Sequence, residues 1–289
     1  MSGEKRDLIT LCGKTFLSVP VIDTSIDVCI FDAAENFAAI KNKIVKLYGN
    51  VKVIADGVET DILCAERADA VEIKGQKDFD KERYNAADAV RIIARLARDG
   101  DGCPWDRVQT HESIRINMIE EAYEAVDAID KRDVANMREE FGDVFLQSVL
   151  QSDIARRAGE FDFDDVCDEL CKKLIGRHTF IFGGDSASNA DDALTLWEKA
   201  KSVEKHYDSV KTQLNKLPDN FPSLLLCQKT HKKLKKIDVA GDPESEFKAA
   251  ADKRDYVGAI AAAAAALANE GKDAEVELNR VVKDKIRSL

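Results

Sequence analysis

Apolar and polar residues alternate with different rhythms along the chain. Over residues 1–75 the rhythm is mixed. Residues 28–31 form a short apolar run of β-forming residues, and Phe37, Ile40, Ile44 and Leu47 then recur at helical spacing within 33–48. Gly49-Asn50 closes that helix and residues 51–54 read as a second strand, with weaker strand signals at 62–64 and 70–73. The order predicts a small βαβ-like α/β region with a tail of strands. Residues 74–84 (KGQKDFDKERY) are charged and read as a linker. From Asn85 onward the apolar period is helical, with helices expected at 85–98, 111–130, 133–158, 162–177 and 191–206. A polar joint carrying Pro218 and Pro222 precedes further helices at 222–236, 244–268 and 273–287. The expected fold class is mainly α: a helical bundle at 85–206, preceded by the α/β region at 1–75 and followed by a helical domain at 218–289.

The last domain resembles a worn copy of the middle one. Laying 257–285 over 141–173 puts Gly258 on Gly142, Gly271 on Gly159 and Lys285 on Lys173, with one small gap. Both segments read as a long helix, a glycine, an acidic helix start and a basic helix end.

Composition narrows the function. The 289 residues suggest about two domains. With 54 acidic against 43 basic residues the net charge is −11, which argues against an open nucleic-acid groove. An anionic substrate would need local cations or a metal ion to hold it. The start, MSGEKRDLITL, has no apolar run of signal-peptide length. The longest apolar stretch, 257–268, is twelve residues, against the roughly 20 a membrane helix needs. A cytoplasmic protein with no membrane partner is expected. The seven cysteines contain no CxxC pair, so neither a zinc site nor a disulfide framework is indicated; Cys167 and Cys171 lie four apart on a predicted helix.

The densest chemistry is MIEEAYEAVDAI (118–129) followed by REEFGDVFLQ (138–147). On a helix, Glu121 and Glu124 share a face, as do Glu120 and Glu124, and on the next helix Glu140 and Asp143. Packed antiparallel, the two helices could face these acids across a gap, an all-oxygen site suited to Mg²⁺ or Mn²⁺. Ile119, Ala122, Tyr123, Val126 and Ile129, with Phe141, Val144, Phe145, Val149 and Leu150, interleave with the acids and predict a buried face beside the patch. The competing reading is a solvated, Glu-rich helix surface.

Lys173 and Arg177, four apart in KKLIGRH (172–178), could grip phosphate oxygens or simply favour a helix C-terminus. Trp197 and Lys201 could meet a base and a phosphate, or pack. GCPWD (102–106) reads as a rigid loop whose Trp105 is core or pocket wall. Thr110 is an expected N-cap without a full capping box, and His111 reads as structural.

Together, GCPWDRVQTHESI, IEEAYEAVDAI, EEFGDVFLQ, KKLIGRH and WEKAK resemble the MazG family of nucleoside triphosphate pyrophosphohydrolases over about 85–206. The family pattern, EExxE then ExxD, is matched by Glu120, Glu121 and Glu124, then Glu140 and Asp143. The resemblance implies an all-α homodimer that hydrolyses nucleoside triphosphates to monophosphate and pyrophosphate with Mg²⁺. It implies Glu121, Glu124, Glu140 and Asp143 as metal ligands, and Glu120 as an assistant or water-orienting group. Either Glu120 or Glu124 would accept the proton of the attacking water. Lys173 and Arg177 would contact phosphates, with Trp197 and Lys201 at the nucleotide. TFIF after Arg177-His178 departs from the family's usual PHVF. In the C-terminal copy the positions of Glu140 and Asp143 hold Tyr256 and Ala259, which implies a degenerate domain that packs or dimerises. Residues 1–75 resemble the final part of a tetrapyrrole methylase domain, without the Gly-rich cofactor half, so no methyl transfer is expected. A non-catalytic nucleotide-binding or dimerisation protein is the alternative to the enzyme.

Overall fold

The computed structural model describes residues 7–76, 79–205 and 209–289. Lys77 and Asp78 of the expected linker, and His206 at the end of the helix expected over 191–206, lie outside the described residues. The chain divides into two compact units, Met1–Leu170 and Cys171–Leu289. It is mainly helical, with a small sheet near its start.

The first unit opens with β1 (Leu8–Cys12), α1 (Gly13–Ser18), β2 (Asp27–Phe31), α2 (Phe37–Tyr48), β3 (Lys52–Ala55), β4 (Val58–Asp61) and β5 (Val71–Ile73). The sheet order is β1-β2-β5-β3-β4. β1 runs parallel to β2, while β5 is antiparallel to both β2 and β3. β2 and β3 therefore point the same way, joined by α2 and separated by β5. Phe37, Ile40, Ile44 and Tyr48 line the buried side of α2 against Val28, Ile30, Val53, Val71 and Ile73 of the sheet. Tyr48, one residue beyond the expected Leu47, completes the stripe.

Three details differ from the sequence reading. β1 and α1 were not expected; Gly13 starts α1 where an added Cβ would come within 2.8 Å of the Asp32 carbonyl. The strand expected at 62–64 is a turn, although Ile62 is fully buried. The partner of β3 is instead β4, reached through Asp56-Gly57, both at positive φ (48° and 84°) as a two-residue hairpin of this twist requires.

Next come α3 (Ala86–Leu96), α4 (His111–Ile114), α5 (Asn117–Lys131), α6 (Val134–Ala158) and α7 (Phe163–Arg177), the last running past the unit boundary. The helix expected over 111–130 is thus interrupted at Arg115-Ile116. Thr110 and Ser113 do form a reciprocal capping box, Ser113 filling the place usually held by Glu or Gln. α3 packs on α6, and α5 packs on α6 as a hairpin. Arg132 in the left-handed region ends α5, and the Asp133 carboxylate caps α6 by accepting from the Ala135 and Asn136 N–H groups. Ile93, Ile114, Val149, Leu150 and Ile154 form the core, with Phe145 edge-to-face on Phe163 at 5.7 Å.

The second unit holds α8 (Thr179–Phe182), α9 (Ala190–Glu204), α10 (Val210–Asn215), α11 (Ser223–Lys235), α12 (Pro243–Asp252), α13 (Tyr256–Asn269) and α14 (Ala274–Arg287). The single helix expected over 244–268 is two helices. Arg254 takes φ 58° and Asp255 caps α13 through the Gly258 N–H. α13 packs against α12 and α11 with Ala259, Ala262, Ala265 and Ala268 buried. Gln228 of α11 donates to the Ala264 and Lys272 carbonyls and accepts from the Ala274 N–H. None of the seven cysteines, Cys167 and Cys171 included, is joined in a disulfide. Among the described residues, no helix is long and apolar enough to cross a membrane.

Candidate active site

The α5–α6 hairpin brings the acids together. Helical spacing puts Glu140, Asp143 and Gln147 on one face of α6, and Glu121 of α5 stands opposite. Carboxylate oxygens of Glu121, Glu140 and Asp143 lie within 4.8 Å of one another. Glu140 is buried, Glu121 and Asp143 half-buried. Burial, then the charges of Glu124 and Asp143, push the Glu140 carboxyl above its ordinary range. Burial, then Asp143 and Glu124, do the same to Glu121, against an opposing hydrogen bond from Gln147. Three acids held this close are mutually unfavourable unless a cation lies among them.

Glu124 and Glu120 are exposed and lie outside the three-residue cluster, although both charges are felt at Glu121. Gln147, whose amide serves Glu121, was not singled out in the sequence. Its signal was the i, i+4 spacing from Asp143. The Gln147 Oε1 is buried without a hydrogen-bond partner, a further oxygen donor beside the acids. An all-oxygen set with one unsatisfied carbonyl fits a hard divalent cation.

The apolar residues beside the acids correct an expectation. Val149 and Leu150 are buried and Phe145 is half-buried, but Ile119, Tyr123, Val126, Ile129, Phe141 and Val144 are exposed on this chain. They leave an apolar face beside the acids.

Arg177, Trp197 and Lys201 meet within the second unit. The Arg177 guanidinium forks onto Glu204, donating from Nε at 2.6 Å and Nη2 at 2.9 Å, and holds the Glu204 carboxyl down at about 2. Arg177 and Lys201 both lie over the Trp197 ring, 5.2 and 4.9 Å from its centroid. Lys173 is exposed on α7. Trp105 is exposed, neither core nor an enclosed pocket wall. The His111 Nδ1 pairs with the Gln151 Oε1, tying α4 to α6, a structural role.

Residues 109–182 match the MazG nucleotide pyrophosphohydrolase domain. That span contains all the clustered acids, Gln147, Lys173 and Arg177. The nucleoside triphosphate pyrophosphohydrolase of Escherichia coli (strain K12) is 37% identical over 142 residues, 49% of this chain and 54% of that protein. The nucleoside triphosphate pyrophosphohydrolase/pyrophosphatase MazG of Thermotoga maritima is 35% identical over 159 residues, 55% of this chain and 60% of that protein. An uncharacterized 26.1 kDa protein of Streptomyces cacaoi is 34% identical over 168 residues, 57% of this chain and 67% of that protein. The chain spans about half the length of the first of these relatives. Through the domain that carries its carboxylate cluster, the chain belongs to the MazG family.

Proposed function

We propose that the protein is a Mg²⁺-dependent nucleoside triphosphate pyrophosphohydrolase, with Mn²⁺ as a possible substitute, acting in nucleotide-pool house-cleaning in the cytoplasm. The observation that carries this reading is the Glu121–Glu140–Asp143 cluster inside the family-matching span. Water attacks the α-phosphorus, the bond from that phosphorus to the bridging oxygen breaks, and pyrophosphate leaves with the electron pair. Glu121, Glu140 and Asp143 would hold the cation, with Glu124 as the fourth ligand that the family pattern implies. When bound, the cation supplies charge neutralisation on the triphosphate and a lower pKa for water. Gln147 fixes the Glu121 carboxylate. Glu120 or Glu124, both exposed beside the cluster, accepts the proton of the attacking water. Lys173 and Arg177 take the phosphate role and Trp197 and Lys201 the nucleotide role that the family resemblance gives them.

The protein acts as a homodimer in this reading. Ile119, Tyr123 and Val126 follow one another at helical spacing on α5, exposed, as are Phe141 and Val144 on α6, and a second copy would cover them. Residues 218–289 are taken as a degenerate second copy. Arg254 then Asp255 precede α13 as Arg132 then Asp133 precede α6, and left-handed Gly271 follows α13 as Gly159 follows α6, although these caps shift the register six residues from the sequence overlay and α13 (14 residues) is shorter than α6 (25 residues).

The test is release of pyrophosphate and monophosphate from a panel of ribo- and deoxynucleoside triphosphates with Mg²⁺, against EDTA and Glu140→Gln. Metal-dependent turnover lost in the variant is expected. Full activity of Glu140→Gln would overturn the metal assignment.

A further inference from the structure

An arginine-rich cleft lies within the first unit, away from the acids. It measures about 770 Å³, within the range of small-molecule sites, and is lined by Phe79, Arg91, Arg95, Arg98, Arg156 and Arg157, among others. Arg91 and Arg95 stand four apart on α3 and Arg98 follows just past its end. Arg156 and Arg157 lie in the last turn of α6, on which α3 packs. Along α6, Arg156 is thirteen residues beyond Asp143, roughly 20 Å at 1.5 Å per residue. A ligand held by these arginines is therefore held apart from the carboxylate cluster.

Cations at helix C-termini offset the macrodipole, which accounts for an arginine or two at each end. It does not account for five around one cleft in a chain of net charge −11. Their carboxylates are shared. Asp88 serves Arg91 and also Lys81, Asp101 serves Arg95 and Arg98, and Asp153 serves Arg156 and Arg157. With Asp99, which also lines the cleft, these six cations meet four carboxylates. Two donors at its wall, Arg91 Nε and Arg157 Nη2, are shut from solvent with no hydrogen-bond partner. The remaining lining is apolar. Phe79, partly exposed, stands 5.9 Å from the Arg91 guanidinium, and Ala94 and Ala97 add small apolar walls. Guanidinium forks suit phosphate oxygens, and an aromatic face beside them suits a flat ring.

We propose that this cleft binds a nucleotide, with its phosphates on Arg95, Arg98 and Arg156 and its base against Phe79. The site is separate from the acids and stands whether or not the hydrolase reading does.

The test is titration calorimetry on the full chain at low salt in EDTA, with ADP and inorganic tripolyphosphate as probes. Arg95→Gln with Arg98→Gln should weaken both probes at least roughly tenfold. Phe79→Ala should weaken ADP and leave tripolyphosphate unchanged. Arg67→Gln, at an exposed arginine of the same unit outside the cleft, should change neither, which separates the site from general surface charge. Arg98→Gln alone, at an exposed side chain, serves if the double variant melts early. No ADP binding by the wild-type chain, or ADP affinity indifferent to the arginine variants, would overturn the inference. Loss of both probes in the arginine variants with ADP unchanged in Phe79→Ala would overturn the nucleotide and leave a bare phosphate site.

Discussion

Asp88 holds the start of α3, the helix that packs on α6 around Val149, Leu150 and Ile154, and its removal should be costly. Its side chain is 0% exposed and pairs at 2.6 Å both with Lys81, itself 2% exposed, and with Arg91. It also accepts from the Thr24 hydroxyl at 3.2 Å and the Asn85 N–H at 2.9 Å, so one carboxylate ties the sheet region, the linker and the helix cap together. Asp88→Ala leaves the Lys81 ammonium buried and uncompensated. Breaking a buried pair by removing one partner costs about 3–5 kcal/mol. At about 2–4 °C per kcal/mol for a domain of this size, the midpoint should fall by roughly 6–20 °C. Far-UV circular dichroism melts at pH 7 measure this, and urea titration checks it. Asp88→Met with Lys81→Met removes the buried charge pair and should recover part of the loss, the remainder reflecting the acceptor lost to Arg91, the Thr24 hydroxyl and the Asn85 N–H. A single-variant loss under about 1 kcal/mol, or no recovery in the double variant, would refute the assignment of Asp88 as the anchor. The pH dependence has a fixed sign. Burial alone would raise the Asp88 carboxyl, but hydrogen bonds from Lys81, Asn85 and Arg91 outweigh it and the net shift is downward. The stabilisation is therefore full above the ordinary carboxyl range and is lost as the pH falls below it, and the variant's deficit should shrink in acid.

The acids and the apolar face are open to direct perturbation. Glu140→Gln should abolish the Mg²⁺-induced rise in melting temperature while leaving the metal-free circular dichroism spectrum unchanged; a retained metal shift would show that Glu140 is not a ligand. Gln147→Leu removes the amide that serves Glu121 and should weaken Mg²⁺ affinity or activity by about 10–100-fold, read from the Mg²⁺ dependence of pyrophosphate release. Tyr123→Asp on the exposed face of α5 should shift the protein from dimer to monomer in light scattering after size exclusion. An unchanged mass would place the contact elsewhere.

How far the sequence carried the fold depends on where the deciding information lies. The carboxylate cluster was legible because its spacing is local: Glu140 and Asp143 share a helix face on geometry alone, and the hairpin brings Glu121 to them while Glu124 stays outside the cluster. Helix α2 was legible for the same reason. β1 was not, because LITLC becomes a strand only by pairing with β2, a partner that lies fifteen or more residues on. The 244–268 break was missed because an alanine-rich run has no apolar period to interrupt. The signal was polar: Arg254 steps into the left-handed region and Asp255 caps α13. Gln147 was missed because an uncharged amide among acids carries no sign of its role until the acid it serves is placed beside it. The exposed face of Ile119, Tyr123 and Val126 shows the deeper limit. Its residues have the period and composition of a core, and in one chain they face solvent. Periodicity reports that a face is to be covered, not which chain covers it. The acids and the apolar stripe share α5 and α6, so in the dimeric reading the second copy would close one side of the hairpin that carries the metal ligands. Tyr123→Asp therefore tests more than assembly: if the subunits separate, metal affinity should fall with them although no ligand has been touched.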